Sequence, residues 1–162
     1  MKIRSLLTLL LTFANISWAA PDAAQVVKDA LVTGVDTIID MGTTGNKFDL
    51  TSSFQNESAI VDNYGNLIIM WIQKVTSEYS GLNTFQHKSI YPLSKVDKVQ
   101  VFNYKADNSI RGILEPAHSK VHLFDKRGNI LHKIPLPRGS PVSNQMLVDA
   151  ILSLANQAKK NN

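Results

Sequence analysis

Residues 62–72 read DNYGNLIIMWI and carry the clearest indication of architecture in this chain. The first five include Asp, Asn and Gly65, residue types that favour a hairpin turn with one left-handed backbone position. Residues 67–72 are apolar without interruption, and such a run predicts a strand that is buried on both faces. We therefore expect a hairpin, with residues 59–61 as its incoming strand and residues 67–72 at the centre of a β-sheet.

A second hairpin is predicted at residues 121–134. The DxxGN pattern of residues 62–66 recurs at residues 125–129, and an aliphatic residue follows it in both places. A duplicated unit is one explanation. We favour two independent uses of the same turn, because turn chemistry alone selects these residues at these offsets.

Helices are expected near both ends of the chain. Asp22 can accept hydrogen bonds from a first helical turn, and apolar residues recur at helical spacing up to residue 33. Ser140 and Pro141 form a suitable cap and first turn, and apolar residues at helical spacing then continue to Leu154. Further strands are predicted at residues 35–41, 48–54 and 96–104, whereas residues 75–95 fit either a helix or a strand.

These elements predict an α+β fold, with a mixed β-sheet covered by an N-terminal and a C-terminal amphipathic helix. After a leader at residues 1–19, residues 20–156 are predicted to form a single globular domain, since about 140 residues normally enclose one hydrophobic core. Residues 157–162 are predicted to be a polar tail.

Part of this order resembles the second half of thioredoxin-like domains. The resemblance comes from the apolar strand at residues 67–72, a strand that ends near Asp107, and the hairpin and helix that follow. It covers roughly half of the chain after the leader. It implies a redox-inactive exported relative, because residues 72–76 read IQKVT where the family has its cysteine pair. Pro116 does not stand directly before the strand, where the family's cis-proline lies, so no catalytic residue is carried over.

The first residues have the features of an export signal. Lys2 and Arg4 give a positive start, residues 6–13 are mostly apolar, and Ser17 and Ala19 are small residues where signal peptidase requires them. We therefore expect cleavage after Ala19 and a periplasmic or secreted bacterial protein. The apolar run is shorter than the ~20 residues of a membrane-spanning helix, so no transmembrane segment is expected after removal of the leader.

Charge and cysteine content exclude several functions. The chain has 17 basic and 13 acidic residues, and two of the basic ones lie in the leader, which leaves 15 against 13. The lysines are scattered among acids instead of clustered, so no nucleic-acid partner is expected. The absence of cysteine excludes disulfides, a lipid anchor on cysteine, thiol nucleophiles and thiolate metal sites.

Histidines on the second hairpin are the candidate metal ligands. If Asp125 pairs with Asn129, then His122 faces His132 across the hairpin, and His118 lies on the same side. Imidazoles at this spacing are suited to zinc or copper. Paired imidazoles also repel each other once both are protonated, which makes pH sensing an alternative.

The simpler interpretation is that these histidines form the more polar, solvent-exposed face of an amphipathic hairpin. We favour it because no Cys, Asp or Glu in the segment completes a set of four ligands. Residues 134–138, with the sequence IPLPR, are a further candidate binding element, since extended proline-rich segments dock in the grooves of partner proteins. The alternative there is that Leu136 packs under the last helix.

The sequence contains no nucleophile elbow of the GxSxG kind, no complete phosphate-loop motif and no close acidic pair. The leading hypothesis is therefore a non-enzymatic binding or accessory protein of the bacterial envelope or secretome, with a protein partner. The alternative is a small metal-dependent enzyme or hydrolase that uses His118, His122 or His132.

Overall fold

The computed structural model describes residues 22–33, 37–42, 49–77, 81–106 and 117–161. These residues form helices α1 (Ala23–Val32) and α2 (Asn144–Lys160), a short 3-10 helix (Leu93–Lys95) and seven strands. The strands are β1 (Thr37–Gly42), β2 (Asp49–Val61), β3 (Asn66–Ser77), β4 (Gly81–Pro92), β5 (Lys98–Tyr104), β6 (His118–Phe124) and β7 (Ile130–Leu136). The predicted leader at residues 1–19 lies outside the described residues.

The first sheet has four antiparallel strands in the order β1-β2-β3-β4. The first predicted turn joins β2 to β3, and Leu67 of β3 pairs with Val61 on one side and Tyr91 on the other. β3 is thus an interior strand, as the sequence predicts. An extra residue, Glu57, makes a bulge in β2 opposite the middle of β3.

Full burial in β3 is confined to two residues on one face. Leu67 and Ile69 point into the core, with 0% and 2% of their surface exposed, whereas Ile68 on the opposite face is half-buried. The cross-strand neighbours of Ile68 are Ile60 and Ile90, which are 55% and 51% exposed. The prediction of burial on both faces was therefore wrong, because solvent reaches the second face.

The second sheet consists of β5, β6 and β7 in that order. β6 and β7 are the second predicted hairpin, and β5 pairs with the other side of β6. The α+β class is confirmed, but the expected mixed sheet was wrong, because every described strand pair is antiparallel and the strands form two sheets. Four of the five pairs join strands that are only three to six residues apart in the chain, and such short connections permit only antiparallel neighbours.

The ambiguous residues 75–95 are mostly strand. They include the end of β3, all of β4 and the 3-10 helix. The helical spacing of their apolar residues does not reflect a buried helix face. Leu82 and Phe85 lie in a strand and are 63% and 50% exposed. β4 ends at Pro92, after which the Leu93 N–H donates to the Gly65 carbonyl at 3.0 Å.

The two predicted helices are present and pack against each other. Asp22 caps α1, as predicted, by accepting a hydrogen bond from the Ala24 N–H at 3.1 Å. The predicted cap of the last helix was wrong: Ser143, and not Ser140, caps α2 by accepting from the Met146 N–H at 3.2 Å. The core lies between these helices and the inner faces of both sheets. Among its most buried side chains are Leu31 of α1, Leu67 of β3, Leu123 of β6, Ile134 of β7 and Ile151 of α2.

The last helix is longer than the sequence predicts. α2 continues to Lys160, so a polar tail beginning at residue 157 was wrong. Ala158 is 4% exposed and packs against Gly65 of the first turn, and Lys159 Nζ lies 2.6 Å from Asp97 Oδ1. No helix within the described ranges combines the length and apolarity needed to cross a lipid bilayer.

Both hairpin turns form the same hydrogen bonds. In the first, the Asp62 N–H donates to the Asn66 carbonyl and the Gly65 N–H to the Asp62 carbonyl, each at 3.0 Å. The Asp62 carboxylate accepts from the N–H groups of Tyr64 and Asn66 and from the Asn66 side-chain amide, at 2.8–2.9 Å. Residues 125–129 repeat each of these bonds. The glycine of each turn has a positive φ, 74° and 82°, as predicted.

Candidate functional site

Strand β6 carries two of the predicted site residues because its side chains alternate between two faces. Val121 and Leu123 point inward and are fully buried in the core. His118, His122 and Phe124 occupy the alternate positions, so they lie on the outer face of the second sheet.

The predicted pairing of His122 with His132 was wrong. Phe124 pairs with Ile130, as expected, but Leu123 pairs with His132, which leaves Leu131 as an extra residue in β7. A single inserted residue moves every following side chain to the opposite face of a strand. His132 therefore lies on the inner face, where its ring meets Tyr91 edge-on with the ring centroids 4.9 Å apart.

His118 and His122 share the outer face but do not meet. They stand four residues apart in one strand, a separation of about 13 Å between their Cα atoms. Tyr104 of β5 lies between them: its ring stacks on His118 with centroids 4.8 Å apart, and its hydroxyl is 3.0 Å from His122 Nε2. The described part of the chain contains no group of three or more His, Cys, Asp or Glu that could hold a metal ion. Zinc or copper thus has no assembled ligand set there.

His122 is enclosed by aromatic rings. Only 4% of its surface is exposed, and the centroids of Phe102 and Phe124 lie 4.3 Å and 6.1 Å from that of its imidazole. Burial lowers the pKa of His122 below its usual value, and the positive charges of Lys133 and Lys120 lower it further. The ring is therefore neutral at neutral pH. Its Nδ1 atom is buried and has no hydrogen-bond partner among the described residues.

The outer side chains of β5, β6 and β7 form one continuous surface, which we call the aromatic face. Strand register places these residues on it: Lys98, Gln100, Phe102, Tyr104, His118, Lys120, His122, Phe124, Ile130, Lys133 and Pro135. The central residues are covered by their neighbours. Phe102 and Tyr104 on the edge strand are 39% and 37% exposed, so two rings remain open to solvent.

The charges of the aromatic face are all of one sign. Its strands contribute three lysines and no carboxylate. Lys98 Nζ lies 5.4 Å from the ring centroid of Phe124, and Lys120 Nζ lies 5.3 Å from that of Tyr104. Such cation–π contacts hold the ammonium groups close to the rings. The surface therefore combines apolar rings with positive charge.

The proline-containing segment 134–138 is mostly strand. Pro135 of β7 pairs with Lys120 of β6, so this proline lies within a regular strand. Leu136 is 6% exposed and belongs to the core, as the packing alternative holds. Beyond β7, Arg138 donates to the Ala117 carbonyl at 3.0 Å. It borders a cleft of about 460 Å³ that adjoins Tyr104.

The exposed rings of the site are not among the residues predicted from the sequence. Residues 98–104 read KVQVFNY, and their alternation places Val99 and Val101 inward, so Phe102 and Tyr104 must face outward with Lys98. This alternation is the signal in the sequence from which the exposed rings can be predicted.

Comparison with protein-family models, with curated proteins and with solved structures finds no match to this chain. The resemblance to thioredoxin-like domains therefore stays a prediction, based on the order of β6, β7 and α2. The function has to follow from the chemistry of the described residues.

Proposed function

We propose that this protein is an exported, non-enzymatic binding protein, and that its aromatic face binds an acidic segment of a protein partner. One observation carries the proposal: eleven neighbouring side chains include solvent-exposed rings and three lysines, but no carboxylate. Aromatic residues are enriched at protein–protein interfaces.

The rings and the lysines would act on different parts of the same partner. A partner that covers Phe102 and Tyr104 removes apolar ring surface from water, and aromatic residues are enriched at the energetically important centres of interfaces. Lysines around these rings attract Asp and Glu and orient the approaching segment. Attraction between exposed charges is screened beyond about 8 Å at physiological ionic strength, so the affinity should fall as salt is added.

The state of His122 supports binding over catalysis. A general base needs a nitrogen within hydrogen-bond reach of the proton that it removes. Here Nε2 already lies 3.0 Å from the Tyr104 hydroxyl, and Nδ1 is buried. The imidazole thus serves to pack and orient the three rings beside it, those of Phe102, Tyr104 and Phe124, and the hydrolase alternative gains no support from it.

Export is the second part of the proposal and is supported by the leader sequence. If residues 1–19 form a cleaved signal, the protein recovered from the periplasm or the medium begins at Ala20. Intact-mass measurement of the exported protein should give the mass of residues 20–162. Recovery of the uncleaved chain in the membrane fraction would contradict this part without bearing on the aromatic face.

The binding proposal can be tested with a displayed library of short random peptides. Wild-type protein should select peptides that are rich in Asp and Glu and that also contain apolar residues. The variant K98E/K133E should lose these peptides, whereas K28E/K126E, which reverses two exposed lysines elsewhere, should retain them. Selected peptides without acidic enrichment, or equal losses in both variants, would contradict the proposal.

A further inference from the structure

Strand β4 is a long edge strand without the usual protection. It has 12 residues, and among the described residues it pairs only with β3. Its register with β3 runs without a bulge, and before Pro92 it contains no proline and one permanent charge, Lys88. Exposed edge strands offer a row of unpaired N–H and C=O groups to any other strand, and proteins normally shorten, bulge or charge them.

Other edges of the two sheets carry such protection. β7 contains Pro135 and a bulge at Leu131, and the other two edge strands, β1 and β5, are short, with 6 and 7 residues. The outer edge of β4, which we call the open edge, thus differs from them. This contrast indicates that the open edge is used for pairing.

An apolar row leads to the open edge. Ile60, Ile68 and Ile90 stand side by side across β2, β3 and β4 on the face opposite the core. Ile60 and Ile90 are 55% and 51% exposed, and Leu82, on the same face near the other end of β4, is 63% exposed. The two exposed aliphatic residues of β4 are therefore separated by eight positions, with Gln86 midway between them.

We propose that the open edge binds a second copy of this chain, with the two β4 strands antiparallel around a twofold axis at Gln86. In this register Leu82 faces Ile90 of the second copy, and Ile90 faces its Leu82. Thr84 faces Lys88 of the second copy in the same way. The two four-stranded sheets become one continuous sheet, and the apolar row of each copy continues into the exposed leucine of the other.

Neighbouring registers are less complementary. An axis at Phe85 places Leu82 opposite a lysine, and an axis at His87 places Ile90 opposite a threonine. An axis at Lys88 places two lysines directly opposite each other, which is destabilising. Of these four registers, only the axis at Gln86 matches aliphatic with aliphatic residues and separates the like charges. The strand is therefore self-complementary in sequence, which favours a second copy over an unrelated strand.

A change of charge at Thr84 tests the proposed register. Thr84 is exposed, and within its own subunit it stands opposite Lys74 of β3, so a change of charge there alters one cross-strand pair in the monomer as well as the proposed contact. T84E places a carboxylate opposite Lys88 of the second copy, whereas T84K places a lysine there, in both cases twice per dimer. Cross-strand pairs of this kind change the dimer dissociation constant by about 2- to 30-fold in total, downward for T84E and upward for T84K.

Sedimentation equilibrium measures these dissociation constants. The matched control is Thr76, an exposed residue on the same face of the interior strand β3. T76E and T76K should leave the dissociation constant within the error of the wild-type value. A protein that stays monomeric at the highest attainable concentration would overturn the proposal and leave the open edge to an extended peptide of another protein. A dimer that responds equally to both sites would also overturn it.

Single cysteines give an independent test, because the chain has none of its own. Directly opposed residues in an antiparallel pair have Cα atoms about 4.5–5.5 Å apart, within the range that a disulfide spans. Q86C should therefore cross-link to itself on oxidation. T84C alone should not, because its copies would lie about 13 Å apart, but a mixture of T84C and K88C should. Efficient cross-linking of T84C alone, or none with Q86C, would refute the register.

Discussion

The two hairpin turns share every internal hydrogen bond, but only the first is packed into the core. The Leu93 N–H donates to the Gly65 carbonyl, and Ala158 of α2 packs against the same glycine. In the second hairpin, residues 126–130 are exposed. The DxxGN sequence thus specifies the turn by itself. The contacts around the turn, which differ, determine how much stability a substitution removes.

The residues directly after the two turns should differ most. Leu67 is fully buried and Ile130 is 48% exposed, although both follow the asparagine of their turn. We expect L67A to lower the free energy of unfolding by roughly 3–5 kcal/mol, through lost burial and a cavity. I130A should cost about 1 kcal/mol or less. Urea denaturation measures both values. Similar losses would mean that the two hairpins contribute equally to the core.

The turn glycines should show a smaller difference of the same kind. An alanine in a left-handed conformation costs about 1–2 kcal/mol at either position. At Gly65 the added Cβ would also overlap the Ala158 side chain, whereas at Gly128 it meets no atom within 4 Å. G65A should therefore lower the free energy of unfolding by about 2–4 kcal/mol. G128A should lower it by only the about 1–2 kcal/mol that the left-handed conformation costs. Thermal or urea unfolding of the two variants gives the comparison, and a larger loss for G128A would contradict it.

Acidification should weaken the two turns equally. The Asn66 side-chain amide lowers the pKa of Asp62, with help from the Asn66 and Tyr64 N–H groups, and the corresponding bonds lower that of Asp125. A carboxylate with a lowered pKa stabilises the folded state at higher pH and loses this contribution as pH falls through its folded-state pKa. Wild-type protein should therefore lose more stability below about pH 4 than D62N or D125N.

The two variants serve as controls for each other in this titration. Their stabilities should converge with that of the wild type on acidification, and by similar amounts. If only D62N converges, the packing around the first turn, and not the shared hydrogen bonds, sets the pKa.

Exchange of the central turn residues should have the smallest effect. Asn63-Tyr64 and Lys126-Arg127 occupy equivalent positions and point to solvent, and Tyr64 is 81% exposed. Swapping the two dipeptides should change the free energy of unfolding by about 0.5 kcal/mol or less, as for other exposed substitutions. Measurement is by urea denaturation. A larger change would show that the turns are not interchangeable even in their exposed part.

Much of the fold could be predicted because local chemistry specifies it. The turns, the cap of α1 and the interior position of β3 follow from residue types within a few positions of one another. The second face of β3 could not be predicted, because an apolar run does not say which other elements will cover it. For a related reason the sequence of β4 could not be assigned to helix or strand. Leu82 and Phe85 have the spacing of a helix face, but both are exposed residues of a strand.

The candidate site was harder to predict because it depends on register. One extra residue, Leu131, moves His132 to the inner face. Nothing in the sequence of β7 predicts a bulge at this position. Tyr104 reaches both His118 and His122 only because β5 pairs with β6, a contact between segments separated by residues 105–117. The sequence could identify the histidines as notable but could not say which rings surround them.

Contact between α1 and α2 joins the first and the last described elements of the chain. The N-terminal residues leave the ribosome first, so α1 lacks its packing partner α2 until residues 144–160 have been synthesised. A nascent chain cannot close its core before that moment, since α2 supplies one side of it. If the chain is exported as proposed, the late completion of the core keeps the polypeptide unfolded, and therefore able to pass through an export channel, during most of its translation.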